Sequence, residues 1–493
     1  AWALEQLQDW TGAEAAAREL LARRPGDTLA RDTLARVLRR QRRPAEAEAL
    51  LREADASRAP EATLALARAR LEQGHHVEAI AAYRDVARQA PSDVRGWIGL
   101  GVALERHGRY ADATAAYREA ARLRPADSRV LHALGKNLKR RRRYGEAAHV
   151  LGEATRAAPA DPRGWYHLGV VLERLGRRDE AMLALRQAVA RRPTFVAAQL
   201  ALAWMLRRAE RWAEEAAVYE AALAASPDHP DLLVGHGVSL GALGRYAEAE
   251  RALRAAHIRR PLDGELMFEL GVVIGRQGRH AEAEVLLREA VRLEPMNVRA
   301  RANFALGLGR QGRHAEAEAA YRDALTVADH PALHRGLGVS LYWQARPEEA
   351  EAAFITAIQR KPDYVRAHCD LGELYVEQER FGDAERVYRA AVRLKPTSLT
   401  ARTALAGVML AEGRYADAET EARAALALNF EVARAHFDLW AALEAQGKWA
   451  ALAVALERFL AVRPAHAEAR ARLARARALS GEWPRSAPRP AAG

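Results

Sequence analysis

The sequence predicts an all-α protein built as a solenoid of helical hairpins, and three observations support this prediction. Two amphipathic stretches alternate along the chain, each with apolar residues at helical spacing. Small residues recur at one phase of these stretches. Prolines recur at intervals of 34 residues, at Pro91, Pro125, Pro159, Pro193, Pro227, Pro261 and Pro295. Such a period is typical of stacked helix–turn–helix units, and we expect about thirteen of them plus a partial first one.

The interval between two prolines contains one hairpin. In the interval that follows Pro91, the apolar face of the first helix consists of Trp97, Leu100, Gly101 and Leu104. A turn that contains Gly108 follows this helix. The second helix places Ala113, Tyr117 and Ala120 on its inner face. The next proline ends the second helix because proline lacks the N–H that would continue the hydrogen-bond ladder.

Small residues mark the point at which the two helices of a hairpin cross. A glycine inside a helix costs about 1 kcal/mol relative to alanine, so its recurrence at one phase indicates a packing requirement. Small residues let the helix axes approach closely while large side chains fill the surrounding grooves. The glycines of the first helices are Gly101, Gly135, Gly169, Gly237, Gly271, Gly338 and Gly372.

This pattern resembles the tetratricopeptide repeat family, with its 34-residue period, aromatic–Leu–Gly first helix, Ala–aromatic–Ala second helix and closing proline. The resemblance implies a right-handed α-solenoid, a superhelix whose concave groove is lined by the first helices. We expect this solenoid to occupy residues 1–483, with a capping helix at 465–480 that covers the last apolar face. The proline-rich tail, 484–493, is expected to be disordered.

The N-terminal repeat is expected to be truncated, since Ala1 aligns with the small crossing position of a first helix. We therefore expect a piece of a longer chain, in which a signal peptide, a membrane anchor or a catalytic domain could precede Ala1. The cytoplasm is the default compartment, and the periplasm stays open for this reason. Only five of the 76 basic residues are lysine. This excess of arginine is typical of GC-rich genes and indicates a bacterial source.

Residues one helical step away from the packing face of the first helices are expected to line the groove. In the middle of the chain this stripe is apolar, which suits an extended or helical peptide with hydrophobic anchors. Its members are Tyr166, Val170, Leu200, Trp204, Val234, Val238, Phe268, Val272 and Leu306. Trp204 and Phe268 are the hot-spot candidates because aromatic anchors carry much of the binding energy at interfaces. Alternatively, these side chains only complete the packing between neighbouring first helices.

A basic patch precedes this stripe in the sequence. It consists of Lys136, Lys139, Arg140, Arg141, Arg142 and Arg143. One interpretation is a contact with an anion or an acidic peptide. The other is an exposed helix C-terminus, where the helix dipole favours cations.

Motifs of enzymes and metal sites are not found in the sequence. It contains no phosphate loop, dinucleotide fingerprint, HExxH or nucleophile elbow, so we expect no catalytic residue, cofactor or metal. Its single cysteine, Cys369, excludes an intrachain disulfide. No apolar stretch approaches the ~20 residues that cross a bilayer, so we expect no membrane insertion of this segment.

The net charge of +12 raises the question of nucleic-acid binding. Base-reading helical repeats need recurring polar pairs at fixed positions, whereas the stripe here is apolar. We therefore expect no specific nucleic-acid partner. The predicted function is a scaffold or adaptor that binds a peptide or protein in its groove. The alternative is the partner-recruiting arm of a larger enzyme or envelope machine, such as a protein glycosyltransferase or a polysaccharide exporter, whose other domain would lie upstream of Ala1.

Overall fold

A computed structural model describes residues 9–41, 43–55 and 60–480. Within these residues the structure contains 28 helices and no strand, which confirms the predicted all-α fold. The chain divides into two compact units, Ala1–Arg245 and Tyr246–Gly493. The expected truncation at Ala1 and the tail 484–493 lie outside the described residues.

The described part of the first unit consists of fourteen helices, in which each helix packs against the next one along the chain. Even-numbered helices are the first helices of hairpins and odd-numbered helices are the second ones. The helices are α1 (Trp10–Arg23), α2 (Thr28–Arg40), α3 (Pro44–Asp55), α4 (Pro60–Glu72), α5 (His76–Gln89), α6 (Val94–Arg106), α7 (Tyr110–Leu123), α8 (Ser128–Arg140), α9 (Tyr144–Ala157), α10 (Pro162–Arg174), α11 (Arg178–Arg191), α12 (Val196–Arg208), α13 (Trp212–Ala225) and α14 (Pro230–Ala242).

The second unit shows the same sequential packing in its described residues. Its helices are α15 (Tyr246–Arg259), α16 (Gly264–Arg276), α17 (His280–Leu293), α18 (Val298–Arg310), α19 (His314–Val327), α20 (Pro331–Tyr342), α21 (Pro347–Arg360), α22 (Val365–Glu377), α23 (Phe381–Leu394), α24 (Leu399–Ala411), α25 (Tyr415–Leu428), α26 (Ala433–Ala445), α27 (Trp449–Val462) and α28 (Ala467–Ser480). In α28, Ala469 and Ala476 are buried whereas Arg470 and Arg475 are exposed.

Local sequence sets the ends of the helices. Several first helices begin after an aspartate whose carboxylate accepts a hydrogen bond from a backbone N–H of the first turn, as Asp93 does from Arg95. The turn inside each hairpin needs a left-handed residue, which Gly108 supplies with a φ of 82°. Arg142 takes the equivalent conformation with a φ of 59°, which a residue with a side chain adopts only at an energetic cost.

The closing prolines have a second role that the sequence pattern does not show. The Nε1 of Trp97 donates a hydrogen bond to the carbonyl oxygen of Pro91 at 2.9 Å, and Trp165 does the same with Pro159. In the second unit, Nε of Arg402 makes the equivalent hydrogen bond to Pro396 at 2.8 Å. The first helix thus satisfies the carbonyl of a turn residue that lies two positions after the end of the preceding helix.

Close approach of the two helices explains the recurring glycines. A Cβ atom added to Gly101 would lie 2.5 Å from Cε1 of Tyr117, and one added to Gly135 would lie 2.5 Å from Cγ of Leu151. In the second unit, a Cβ on Gly372 would lie 2.6 Å from the ring of Tyr388. These distances are shorter than van der Waals contact, so the crossing accepts only glycine or a small shift of the partner.

Neighbouring hairpins of the second unit are also joined by a ladder of buried glutamates. Glu250 accepts hydrogen bonds from Nε2 of Gln277 at 2.7 Å and from Nη1 of Arg279 at 2.8 Å. The same arrangement recurs at two further glutamates. Glu284 accepts from Gln311 and Arg313, and Glu419 accepts from Gln446 and Lys448. Burial would raise the pKa of Glu250, but the hydrogen bonds from Gln277 and Arg279 hold it below its usual value. Some of the many arginines therefore have a structural role, as hydrogen-bond partners of these glutamates.

Candidate functional site

The predicted groove positions of the first unit lie on three successive first helices, α10, α12 and α14. Five of the six side chains are half-buried, namely Tyr166, Val170, Leu200, Val234 and Val238. Trp204 differs from them because 46% of its surface is exposed. The half-buried side chains can both pack against neighbouring helices and offer some apolar surface. Trp204 is the member of this set with substantial surface left for a partner.

Trp204 lies at the edge of a cavity of about 220 Å³, which Met182 and Met205 also line. The guanidinium carbon of Arg208 is 4.8 Å from the centre of a Trp204 ring, within cation–π distance. Arg208 also lies 3.6 Å from a carboxylate oxygen of Glu173 on α10. Arg208, itself held by Glu173, therefore packs on the indole, which keeps an exposed aromatic surface.

The prediction for Phe268 in the second unit requires a correction. Only 2% of this side chain is exposed, so it cannot act as an anchor for a partner. Arg299 of the following first helix covers it, with its guanidinium carbon 4.5 Å from the ring centre. Glu265 and Glu269 hold this arginine in place through oxygens 3.1 Å from its nitrogens. Of the two other predicted positions, Val272 is half-buried and Leu306 is 44% exposed.

The second unit also contains an exposed tryptophan that the sequence analysis did not predict. Trp343, directly after α20, is 64% exposed and stacks on the ring of His314 with their centroids 5.8 Å apart. With Leu306 and Val339 it lines a cavity of about 200 Å³. A signal was available, because most first helices carry an arginine at this position, for example Arg106 and Arg310. A tryptophan at an arginine position marks the place where the surface changes from charged to aromatic.

The structure divides the predicted basic patch into two groups. The arginines have partners within the first unit: Arg140 lies 3.4 Å from Glu105, Arg141 donates to the hydroxyl of Thr114 at 2.8 Å, and Arg143 pairs with Glu146. Arg142 is exposed at the turn. These arginines therefore agree with the interpretation as a helix end.

Lys136 and Lys139 form the other group, at the predicted groove positions of α8. Both are half-buried, and neither pairs with a carboxylate in the part of the chain that the structure describes. Burial lowers the pKa of Lys139, and the positive charges of Lys136, Arg140 and Arg174 lower it further. An anion from outside would relieve this repulsion, so the two lysines are the part of the patch that is suited to an acidic partner.

Two histidines lie beside these lysines. The rings of His132 on α8 and His167 on α10 meet edge to face with their centroids 4.8 Å apart. Burial lowers the pKa of His167 to about 3, and the positive charges of His132, Lys139 and Lys136 contribute to the shift. Asp161 opposes it. The pKa of His132 is also lowered, chiefly by burial, so both rings are neutral at neutral pH.

This pair predicts acid sensitivity of the first unit. Between pH 6.5 and about 3 an unfolded chain protonates a histidine that the folded chain keeps neutral, so stability falls as pH decreases through this window. Between pH 7 and pH 5, we expect the free energy of unfolding of His167→Ala to fall by about 1–2 kcal/mol less than that of the native chain. Hydrogen exchange of the amides of α8–α10 in the full chain, corrected for the intrinsic exchange rate at each pH, would measure this difference.

His149→Ala is the matched control, because the side chain of His149 is 73% exposed. Its pH dependence should equal that of the native chain. An equal loss of stability in His167→Ala and the native chain would show that His167 does not contribute.

Within the described residues, no group of three or more metal-ligating side chains is assembled. The described helices include none that is both long and apolar enough to span a membrane. Burial raises the pKa of the Cys369 thiol to about 11, so this half-buried cysteine stays protonated at neutral pH.

Stacked helical hairpins, joined by glycine crossings and by the glutamate ladder, define a helical-repeat protein. Comparison with known families is more specific. A tetratricopeptide repeat model matches residues 64–128, 132–194, 174–230, 234–298, 302–365 and 335–398, and two further tetratricopeptide repeat models match 375–446 and 29–57. The chain therefore belongs to the tetratricopeptide repeat family. This membership supports a role as a protein-interaction scaffold.

Solved structures with a similar fold include the APC/C hetero-tetramer Cut9-Hcn1, at 14% identity and a TM-score of 0.44, with 89% of this chain and 94% of that chain covered. Yeast Tom70 is similar at 15% identity and a TM-score of 0.40, with 78% of this chain and 96% of that chain covered. No curated protein sequence matches the chain significantly.

Proposed function

We propose that this chain is a scaffold whose first unit binds a segment of a partner protein on the surface formed by α8, α10 and α12. The partner segment places a carboxylate at Lys136 and Lys139 and an apolar side chain at Trp204. The observation that carries the proposal is the occurrence of two lysines without a carboxylate partner and an exposed tryptophan on the same row of first helices.

The two features are connected through α10. Arg174 is close enough to lower the pKa of Lys139, and Arg174 also lines the cavity beside Trp204. Tyr166 lies on the same helix, about two turns before Arg174, with its ring centroid 5.1 Å from that of Phe195. A segment that crosses α10 could therefore contact both the lysines and the tryptophan. Such a mode of recognition combines apolar anchors with charge complementarity.

Selection from a random dodecapeptide library on the immobilised full chain tests this proposal. We expect the selected peptides to carry Asp or Glu near Leu, Phe or Trp. Trp204→Ala should weaken the affinity for the best peptide at least tenfold, because the loss of an aromatic anchor costs about 2 kcal/mol or more of binding free energy. Lys136→Glu with Lys139→Glu should remove the preference for acidic peptides. Fluorescence anisotropy at increasing salt would measure both effects, since screening weakens charged contacts.

Arg142→Glu with Arg156→Glu is the matched control, because it makes the same change of charge at two exposed residues of the turn and α9. It should keep both the affinity and the acidic preference. If this control lost binding as the lysine variant does, the effect would come from overall charge rather than from a site. Retention of full affinity by both Trp204→Ala and the lysine variant would contradict the proposal.

A further inference from the structure

The hairpin formed by α26 and α27 departs from the packing rule of the other hairpins. At the crossing position, where other first helices carry Gly or Ala, α26 carries Trp440, which is 0% exposed. Its ring meets that of Phe459 on α27 at 5.0 Å, nearly perpendicular. On α25, Ala422 occupies the position that Tyr388 occupies on α23, and it belongs to the same buried cluster as Trp440. The large residue has thus moved from a second helix to the following first helix.

This exchange goes together with a cleft between α25 and α27. The helices α26 and α27 approach each other less closely than the two helices of the other described hairpins within either unit. A cleft of about 460 Å³ lies alongside them, with walls that include Leu426, Phe430, Leu439 and Val454. Phe430 is 38% and Val454 is 49% exposed. This volume is in the range of sites that bind small ligands or single large side chains.

The rim of the cleft carries two arginines, Arg423 and Arg458. In five other places an arginine of one second helix pairs with a glutamate of the next second helix. These pairs are Arg18 with Glu46 at 3.8 Å, Arg118 with Glu146 at 2.7 Å, Arg186 with Glu214 at 2.7 Å, Arg254 with Glu282 at 2.6 Å and Arg322 with Glu349 at 3.7 Å.

Arg423 occupies the arginine position of this series, but Ala451 stands where the glutamate would be. Arg423 pairs only within its own helix, with Glu419 at 2.8 Å. No carboxylate pairs with Arg458 in the described residues. The cleft therefore combines an apolar wall with a missing negative charge.

We propose that this cleft binds a partner segment in which a Glu or Asp adjoins a bulky apolar residue such as Leu or Phe. The carboxylate takes the place of the missing glutamate and pairs with Arg423 and Arg458, and the apolar side chain fills the space beside Leu426 and Val454. Charge complementarity at the rim favours this occupant over a neutral or basic one. The surface is separate from the one under Proposed function, so either can hold without the other.

The test uses the full chain and the blocked tripeptide N-acetyl-Leu-Phe-Glu amide as probe, observed by saturation-transfer NMR. Ala451→Glu supplies the missing carboxylate and adds a side chain to the cleft wall. We therefore expect it to weaken binding of the tripeptide at least tenfold. The matched control is Ala450→Glu, an exposed neighbour on the same turn that does not line the cleft. It should bind as the native chain does. Both variants add a glutamate to the first turn of α27, where the helix dipole favours it, so circular dichroism should show both folded.

Two further comparisons distinguish binding in this cleft from binding elsewhere on the chain. The tripeptide with Gln in place of Glu should bind several-fold more weakly to the native chain, and this difference should vanish in Arg423→Gln with Arg458→Gln. Lys136→Glu with Lys139→Glu should leave tripeptide binding unchanged. Equal binding by the Ala451→Glu and Ala450→Glu variants, or equal binding of the Glu and Gln tripeptides, would overturn the proposal. Loss of binding in the lysine variant would also overturn it, by placing the peptide on the first unit.

Discussion

Replacement of Trp440 by alanine is expected to lower the stability of the C-terminal hairpins by about 3 kcal/mol. Burial of a large aromatic side chain typically contributes 3–5 kcal/mol, counting the cavity that truncation leaves. The lower end applies because Nε1 of Trp440 is buried without a hydrogen-bond partner, and its removal relieves that cost. Long repeat arrays do not unfold in two states, so hydrogen exchange is the suitable measurement.

Amides of α24–α28 should exchange about one hundred times faster in Trp440→Ala, while those of the first unit stay unchanged. Trp343→Ala is the control in the same unit, because Trp343 is 64% exposed and should change exchange very little. A variant that combines Trp440→Gly with Ala422→Tyr restores the usual distribution of volumes and should recover part of the loss. Unchanged exchange in Trp440→Ala would show that the large residue is not needed at this crossing.

Gly101→Leu is expected to destabilise the first unit by about 2–3 kcal/mol. The new Cβ would lie 2.5 Å from Cε1 of Tyr117, whose ring is 1% exposed and whose hydroxyl donates to Glu105 at 3.1 Å. Because that ring cannot move without losing its hydrogen bond and its packing, the helices must separate. The gain in helix propensity, about 1 kcal/mol, offsets part of this cost. Hydrogen exchange of the amides of α6 and α7 in the full chain would measure the difference.

Gly145→Leu makes the same exchange at an exposed position of α9 where no atom lies within 4 Å of the added Cβ. It should raise stability by up to about 1 kcal/mol through helix propensity. The double variant Gly101→Leu with Tyr117→Ala should lose less stability than the two single variants lose in sum, because the leucine fills the space that tyrosine leaves. Strictly additive losses of stability would mean that the two side chains do not compete for the same space.

Periodicity predicted the fold from local information alone. The spacing of Gly101 and Tyr117 gives the crossing of one hairpin, and the proline interval gives the start of the next. Both depend on residues close in sequence, and the structure repeats the same geometry at Gly135 with Leu151 and at Gly372 with Tyr388.

The site was harder to predict because its environment comes from other hairpins. Phe268 has the spacing of a groove residue, yet Arg299, one repeat later, covers it. The partners of Arg140 and Arg141 come from the preceding repeat, at Glu105 and Thr114. Side-chain periodicity specifies which way a residue points, but not what a neighbouring repeat places over it.

Other signals were present in the sequence as exceptions to the repeat. Trp343 replaces an arginine, Trp440 replaces a glycine, and Ala451 replaces a glutamate. Each exception coincides with an exposed aromatic surface, a rearranged crossing or a cleft in the second unit. In this chain, deviations from the consensus therefore mark the local features that the repeat pattern alone does not predict.

The glutamate ladder also bears on how such a gene can change in length. Glu284 receives its donors from Gln311 and Arg313, and Glu318 receives the same pair of residue types from Gln344 and Arg346. Duplication or deletion of one whole period leaves every rung complete, because each repeat carries an acceptor for the next repeat and donors for the previous one. Recombination in this region can therefore lengthen or shorten the array without unpaired buried charges. Between α25 and α26 the situation differs, since Ala422 and Trp440 must be inherited together.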